Sequence, residues 1–406
     1  MHTLLITGPG GAGRTTVAAA TALAAARQGR RVLLLSGDPG APDDRLVELL
    51  GPTTGPVAEV VPGLRAVPVA HGIRAARIDS GEEFRAELVT LQERGASLLG
   101  MLGGRPLGAE ELTELPGAEQ FALLRALRRA ASAPGVDLLI VDMPPLHQAI
   151  TTLALPAELR RYLARLLPAQ RQAARALRPV LAQLAGVPMP AQWLYDAAAR
   201  WDEELAAVEA VVESPATELR LVAEPGPASD DALRTGRLGL ALHRLPVASL
   251  VANRMVPQDS ADPWVADLAA RQREHADRWA AELTVVPLAH LGRDPRDLRD
   301  LTLLTDTDTE AVAPREAAVY RRAWAVEDRL AEDGVLVWVV PLPGARKSDL
   351  DLIRRGDELL LTAGPYRRIV SLPSALRRCT VTGAALTDGE LRVRFTPDPQ
   401  LWPREH

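Results

Sequence analysis

Short apolar runs separated by stretches with helical spacing dominate about the first 290 residues. The apolar runs predict buried strands at residues 4–7, 31–36, 137–141, 218–222, 247–252 and 283–286. Between them, apolar residues recur every three or four positions, which predicts helices over 15–28, 82–102 and 118–131. Strands that alternate with helices and lack strict polar alternation are typical of an α/β protein with a doubly wound, mostly parallel sheet.

The pattern changes twice further along the chain. Residues from about 159 to 213 show helical spacing without a strand, interrupted by prolines, which predicts a helical subdomain inserted into the sheet domain. Such a subdomain can cover a ligand or grip an apolar partner, and a plain packed helical layer fits the same pattern.

The end of the chain differs from the rest. An acidic, turn-rich stretch and a charged, helix-like stretch predict a connector over 306–333. Short β-rich runs with Pro-Gly, Gly-Asp and Asp-Gly turns then predict an all-β sandwich over 334–399. The expected division is a sheet domain over 1–305, a connector and a small β-domain that folds independently and serves as an interaction module.

Composition narrows the class of protein. A chain of 406 residues favours two domains, and a net charge of -5 argues against a nucleic-acid partner, which needs a concentrated basic surface. No apolar run approaches the roughly 20 residues needed to span a bilayer, and the first strand begins almost at Met1. We therefore expect a cytoplasmic protein that is not embedded in a membrane. The single cysteine, Cys379, excludes an internal disulfide and a multi-cysteine metal site within one chain.

The most informative motif is the glycine-rich turn GPGGAGRTT at residues 8–16, between the first predicted strand and helix. Glycine permits positive φ and lets backbone N–H groups approach a phosphate. In the usual G-x-x-x-x-G-K-[ST] motif, lysine contacts the β- and γ-phosphates and the next hydroxyl binds Mg²⁺. Here Arg14 stands at the lysine position and Thr15 at the metal position. The predicted nucleotide contacts are Gly10, Gly11, Ala12, Gly13, Arg14, Thr15 and Thr16.

A relic turn without a ligand is the alternative interpretation. Lys347 is the one lysine of the chain, so Arg14 could reflect a composition that uses arginine in place of lysine. Arginine keeps the charge but is planar and bulkier, so the exchange is not conservative where a compact ammonium must fit.

The order of the motifs resembles the ArsA-like ATPases, the family of the arsenite-pump ATPase and of the ATPase that targets tail-anchored membrane proteins. That family has KGGxGKT where this chain has PGGAGRT, so Pro9 and Arg14 replace two lysines. The resemblance implies a homodimer that binds ATP or ADP with Mg²⁺, and a heterodimer with a paralogue is the alternative if this chain is a pseudo-ATPase. The loss of both lysines predicts impaired hydrolysis.

Two further segments resemble that family. Residues 36–45, SGDPGAPDDR, match DPAHSLSD, whose last aspartate orients the attacking water. Arg45 aligns with that aspartate, and Asp44 takes its role only after a shift of one residue. Residues 142–149, DMPPLHQA, match DTAPTGHT, with Asp142 retained and His147 at the glycine that approaches the terminal phosphate. The resemblance gives Asp44 and Arg14 as candidate catalytic residues and Thr15 and Asp142 as candidate metal ligands.

An adenine site is implied by residues 251–257, VANRMVP, which resemble the family's VVNRVLP. The amide of Asn253 offers both a donor and an acceptor, which suits the edge of adenine. A turn-capping role for Asn253 is the alternative. Residues 286–288 resemble the next adenine-flanking loop, which adds Pro287 to the candidate contacts.

The tail resembles the small heat-shock-protein, or α-crystallin, domain that is appended to some bacterial ArsA-like proteins. The matching segments are LPG at 342–344, GDEL at 356–359, GPYRR at 364–368 and DGELRV at 388–393. One function that fits is adenine-nucleotide binding with chaperone-like binding of an apolar client or a partner and impaired hydrolysis. The other is a pseudo-ATPase scaffold or holdase that binds no nucleotide. Arsenite transport fits poorly, because Cys379 alone cannot supply a thiol cluster.

Overall fold

The computed structural model describes residues 1–37, 45–96, 100, 103–167, 192–307 and 324–402. The chain divides into two compact units. The first contains residues 1–3, 25–144 and 151–217, and the second contains residues 4–24, 145–150 and 218–406.

The strands before residue 290 are β1 (His2–Thr7), β2 (Val32–Ser36), β3 (Ala58–Val61), β4 (Leu64–Pro68), β5 (Arg74–Arg77), β6 (Leu138–Asp142), β7 (Thr217–Ala223), β8 (Val247–Met255) and β9 (Val285–Ala289). The helices are α1 (Arg14–Arg27), α2 (Arg45–Leu50), α3 (Ser80–Arg94), α4 (Ala118–Ala131), α5 (Leu146–Leu166), α6 (Gln192–Val212), α7 (Pro227–Leu242), α8 (Pro263–Ala280) and α9 (Leu298–Thr307). Alternation of strands and helices confirms the predicted α/β class with a mostly parallel sheet.

In the first unit the strand order is β3-β4-β5-β2-β6. Strand β2 pairs in parallel with β5 and β6, and its buried apolar residues explain why the sequence predicted it. Strands β3 and β4 add an antiparallel hairpin that was not predicted. Strand β3 is largely exposed and has no apolar run, so its pairing leaves little trace in the sequence.

The helices of the first unit agree in part with the predicted bounds. Helix α3 begins after Asp79, whose side chain accepts a hydrogen bond from the Glu82 N–H at 2.8 Å, and ends before Gly95. Most of 97–102, the rest of that predicted helix, lies outside the described residues. In the predicted helical subdomain, α5 and α6 are joined by Arg160, which pairs with Asp202 at 3.0 Å and Glu209 at 2.6 Å. Residues 168–191 of the subdomain also lie outside the description.

In the second unit, most of β1 together with β7, β8 and β9 gives the order β1-β7-β8-β9. Strand β8 pairs in parallel with β7 and β9. The buried apolar residues of β1, α1, β7 and β8 are all Leu, Val, Ile or Ala. This small-residue packing follows from a chain with few aromatic residues.

The tail contains two antiparallel sheets, as the β-sandwich pattern predicted. Its elements are β10 (Ala325–Arg329), α10 (Leu330–Asp333), β11 (Val335–Pro341), β12 (Leu350–Arg355), β13 (Glu358–Ala363), β14 (Tyr366–Ser371), α11 (Ser374–Arg377), β15 (Cys379–Thr387) and β16 (Glu390–Pro397). The orders are β10-β11-β16-β15 and β12-β13-β14. Cys379 is buried, and burial raises the pKa of its thiol, so the sulfur is a core group.

One correction concerns the segment predicted as a helix-like connector. Within its described part, Ala325–Arg329 is the edge strand β10, paired with β11 so that Ala325 lies opposite Val339. The strand is mostly exposed and highly charged, so the apolar alternation that identifies a strand is missing. Glu327 of β10 forms an ion pair with Arg392 of β16 at 2.5 Å, so one of the charges of β10 is paired within its own sheet.

The tail contacts the end of α7, and both belong to the second unit. Arg368 of β14 donates a hydrogen bond to the Leu242 carbonyl at 2.8 Å. Trp324 lies under the guanidinium groups of Arg244 and Arg368, at 4.5 and 5.5 Å from its ring centre. Its ring also meets Trp338 edge-on at 5.6 Å.

Within the described ranges, no helix combines the length and apolar character needed to cross a bilayer.

The end of α7 gives a pH prediction. Burial and the nearby Arg368 lower the pKa of His243 to about 4. Because the imidazole titrates near 6.5 when unfolded, the unfolded chain binds more protons between about pH 6.5 and 4. The free energy of unfolding should therefore fall as the pH falls through this window, by at most about 3 kcal/mol from this group.

The measurement is urea unfolding at several pH values for the wild type and His243→Gln. Carboxylates titrate in both proteins, so the difference between the two curves isolates the histidine. We expect the wild type to lose more stability than the variant below pH 6.5. Parallel curves would refute the assignment.

Candidate functional site

The loop at residues 8–13 links β1 to α1 and has the backbone that its glycines predict. Gly11 and Gly13 have φ values of +76° and +89°, which favour glycine. Gly10 and Gly11 are exposed, and a Cβ added to either would meet nothing within 4 Å. The outer side of the loop is therefore an open surface lined by backbone.

Two positive features meet at the start of α1. Arg14 is the first residue of the helix and is only 8% exposed, and Thr15 and Thr16 follow it half-buried. The N-terminal N–H groups of a helix favour an anion, and the cationic Arg14 adds to this preference. The electrostatics suit a phosphate group at this end of α1.

Asn253, in β8, touches the loop directly. Its Nδ2 donates a hydrogen bond to the Ala12 carbonyl at 2.8 Å, and its Oδ1 accepts one from the Arg254 N–H at 2.9 Å. A Cβ on Gly13 would lie 2.4 Å from Nδ2, so glycine is required there by contact as well as by φ. Asn253 thus braces the loop, and its predicted contact with adenine stays a prediction.

Arg254 is a loop contact that the sequence analysis missed. Its guanidinium donates to the Gly11 carbonyl at 3.1 Å and pairs with Glu224 at 3.0 Å and Asp294 at 3.1 Å. Its backbone has a φ of +59°, a conformation that a side chain makes costly. The partner Gly11 lies 243 positions away along the chain, so only the fold brings the two together.

Buried Gln272 of α8 holds this part of the backbone in place. Its Nε2 donates to the Arg254 carbonyl at 3.0 Å, and its Oε1 accepts from the Val256 N–H at 2.9 Å. The turn that carries Asn253 and Arg254 is therefore fixed from α8 as well as from the loop.

The remaining predicted residues lie in different places. Asp142 is a fully buried residue at the end of β6 in the first unit, where its carbonyl accepts a bond from the Gly37 N–H at 2.9 Å. Pro287 is exposed in β9, opposite Ala252 of β8. Strand β9 ends the strand order, where a residue without an N–H is tolerated. Asp44 lies outside the described residues.

The donor chemistry fits a nucleotide with Mg²⁺. Gly10 and Gly11 leave the space that a phosphate needs, and Arg14 and the start of α1 supply positive charge. The hydroxyl of Thr15, the second residue of α1, is an oxygen donor of the kind that Mg²⁺ prefers.

Comparison with known proteins gives two family matches. The family described as "Anion-transporting ATPase" matches residues 1–283, and the "HSP20-like domain found in ArsA" matches residues 333–395. Together they cover most of the chain and leave residues 284–332 between them unmatched.

Individual relatives are similar along their whole length. An uncharacterized protein of Streptomyces coelicolor is 57% identical over 405 residues, which cover 100% of both chains. A Mycobacterium tuberculosis protein is 30% identical and covers 98% of this chain and 97% of its own. A putative arsenical pump-driving ATPase of Aquifex aeolicus is 22% identical, with 97% and 99% covered.

Proposed function

This chain belongs to the ArsA family of anion-transporting ATPases, and we propose that it binds an adenine nucleotide and that nucleotide binding changes its binding of a client or partner protein. Hydrolysis is impaired in this proposal. The observation that carries it is the open glycine loop at the start of α1, with Arg14 buried at its base. An HSP20-like tail supports the chaperone-like part.

In this proposal different residues of the second unit contact the phosphates, the metal ion and the adenine. The N–H groups of Gly10, Gly11 and Gly13 and the cation of Arg14 bind phosphate, and the Thr15 hydroxyl would be a ligand of Mg²⁺, while the metal role of Asp142, in the first unit, stays a prediction from the sequence. The metal, when bound, neutralises phosphate charge. Asn253 and Pro287 would contact the adenine, and Asn253 holds the loop in position through Ala12.

Slow hydrolysis follows from what the loop lacks. Phosphoryl transfer depends on charges placed around the terminal phosphate, and each well-placed group contributes several kcal/mol. Pro9 offers no cation, and the planar Arg14 replaces a compact ammonium. Asp44, the candidate for orienting water, stands one residue away from the matching position in the family motif.

Titration calorimetry with ATP and Mg²⁺ tests the proposal. We expect binding by the wild type, weakened about tenfold or more in Thr15→Ala, because a metal ligand is lost. We also expect turnover well below roughly 1 per second. Thr16→Ala, the neighbouring threonine on the same helix, is the matched control and should bind more tightly than Thr15→Ala. Turnover at or above that rate, abolished by Thr15→Ala, would contradict the impaired-hydrolysis part.

The alternative, a scaffold that binds no nucleotide, is favoured by one observation. Both polar atoms of the Asn253 amide already have partners within the protein, Ala12 and Arg254. In that case the loop is a structural turn, and calorimetry detects no heat for ATP, ADP or GTP.

Exposed apolar side chains on two helices support the client-binding part. Tyr162 and Leu166 of α5 and Trp201 of α6 are 46%, 77% and 40% exposed, all in the first unit. We propose that this helical pair receives an apolar client segment and that the protein acts in the cytoplasm as a homodimer or with a paralogue. Sedimentation with and without nucleotide reports the oligomeric state.

A further inference from the structure

A tyrosine of the tail packs against α7 at a glycine. Tyr366 is the first residue of β14 and is only 4% exposed. A Cβ added to Gly239 would lie 2.7 Å from the tyrosine ring, so any side chain there displaces the ring. Glycine at position 239 therefore provides the space for the tail's aromatic residue.

The hydroxyl of Tyr366 reaches past α7 to the first turn of α5. It lies 3.2 Å from Nδ1 of His147, and the two ring centres are 5.3 Å apart. Burial raises the pKa of Tyr366 to about 12, so the phenol keeps its proton at neutral pH. A protonated phenol can donate to the ring nitrogen of a neutral histidine.

The first turn of α5, which carries His147, is also hydrogen-bonded to the glycine loop. The N–H of Leu146 donates to the Gly8 carbonyl at 2.9 Å. The side chain of Leu146 packs on α7 at Gly236, where an added Cβ would lie 2.2 Å from it. Consecutive residues, Leu146 and His147, thus contact the loop and the tail.

We propose that Tyr366 is a positioning residue through which the HSP20-like tail controls the nucleotide loop. Its hydroxyl fixes His147, the first turn of α5 is thereby fixed, and the Leu146 N–H holds Gly8. Coupling between sites is reciprocal, so nucleotide binding strengthens tail packing to the same extent that tail packing strengthens nucleotide binding. The nucleotide part rests on the proposed function.

The hydroxyl can be removed without undocking the tail. Arg368 still donates to the Leu242 carbonyl, and Arg234 of α7 still pairs with Asp349 at 3.4 Å. Tyr366→Phe keeps the ring on Gly239 and removes only the oxygen. A change at the loop in this variant is therefore due to the hydroxyl.

The test has two readouts. Calorimetry gives ATP affinity, and hydrogen exchange without nucleotide gives the protection of residues 8–16 and 146–150. We expect Tyr366→Phe to bind ATP about three- to tenfold more weakly and to exchange faster in both segments, because one half-buried hydrogen bond is lost. His147→Ala should give similar changes, and the double variant should add little to either.

Thr380→Val, which removes an exposed hydroxyl of β15 in the same tail, is the control and should change neither readout. Unchanged exchange and affinity in Tyr366→Phe, or fully additive effects in the double variant, would overturn the proposal. If the wild type binds no nucleotide, the proposed function fails. The exchange comparison alone then decides whether the tail controls the loop.

Discussion

Gly8→Ala is expected to lower the free energy of unfolding by more than about 3 kcal/mol, because no space exists for a methyl group. An added Cβ would lie 1.9 Å from the Val222 carbonyl oxygen and 2.9 Å from its carbon. These are backbone atoms of β7, which is paired with β8. Backbone cannot swing aside as a flexible side chain can, so β7 or the loop must move.

Gly10→Ala is the control for this prediction. The two glycines share one loop, but a Cβ at Gly10 meets nothing within 4 Å, and Gly10 is not at positive φ. Its stability should stay within about 0.5 kcal/mol of the wild type. Urea unfolding followed by circular dichroism measures both variants. Equal midpoints for the two would mean that the loop does not approach β7 as described.

Trp338→Ala is expected to destabilise the tail by about 3–5 kcal/mol, the range for removing a large buried aromatic side chain. Trp338 lies in β11 and is only 2% exposed. Phe395 of the neighbouring β16 is fully buried, and Trp324 contacts the Trp338 ring edge-on. The cavity left by alanine removes contacts within the sheet and beneath Trp324.

Trp264→Ala is the matched control, because Trp264 in α8 is 73% exposed and should cost less than about 0.5 kcal/mol. Thermal unfolding followed by circular dichroism compares the two variants with the wild type. The prediction fails if both substitutions shift the midpoint equally.

Sequence reasoning succeeded where the cause of structure is local. Strands β2 and β6 are buried and mainly apolar, and the glycines of the loop are dictated by φ and close approach. It missed β3 and β10, which are exposed and gain their order from pairing with a neighbour. The partners of a long-range contact are equally hidden in one sequence.

The candidate site divides in the same way. Arg14 and Thr15 follow from the motif and lie at the start of α1 as expected. The contacts that fix the loop, from Asn253 to Ala12 and from Arg254 to Gly11, join residues more than 240 positions apart. The motif indicated that Asn253 matters, but the fold was needed to see that it supports backbone.

Gly239 carries information about the history of this two-part architecture. A helix gains stability when glycine is replaced by alanine, by roughly 1 kcal/mol, so selection for stability alone removes a glycine from the last turn of α7. The tail prevents that replacement, because Tyr366 occupies the space that a side chain would need. A lineage that lost the tail would be free to fill position 239, and afterwards the tail could not return to the same surface. The loss of the tail is therefore hard to reverse.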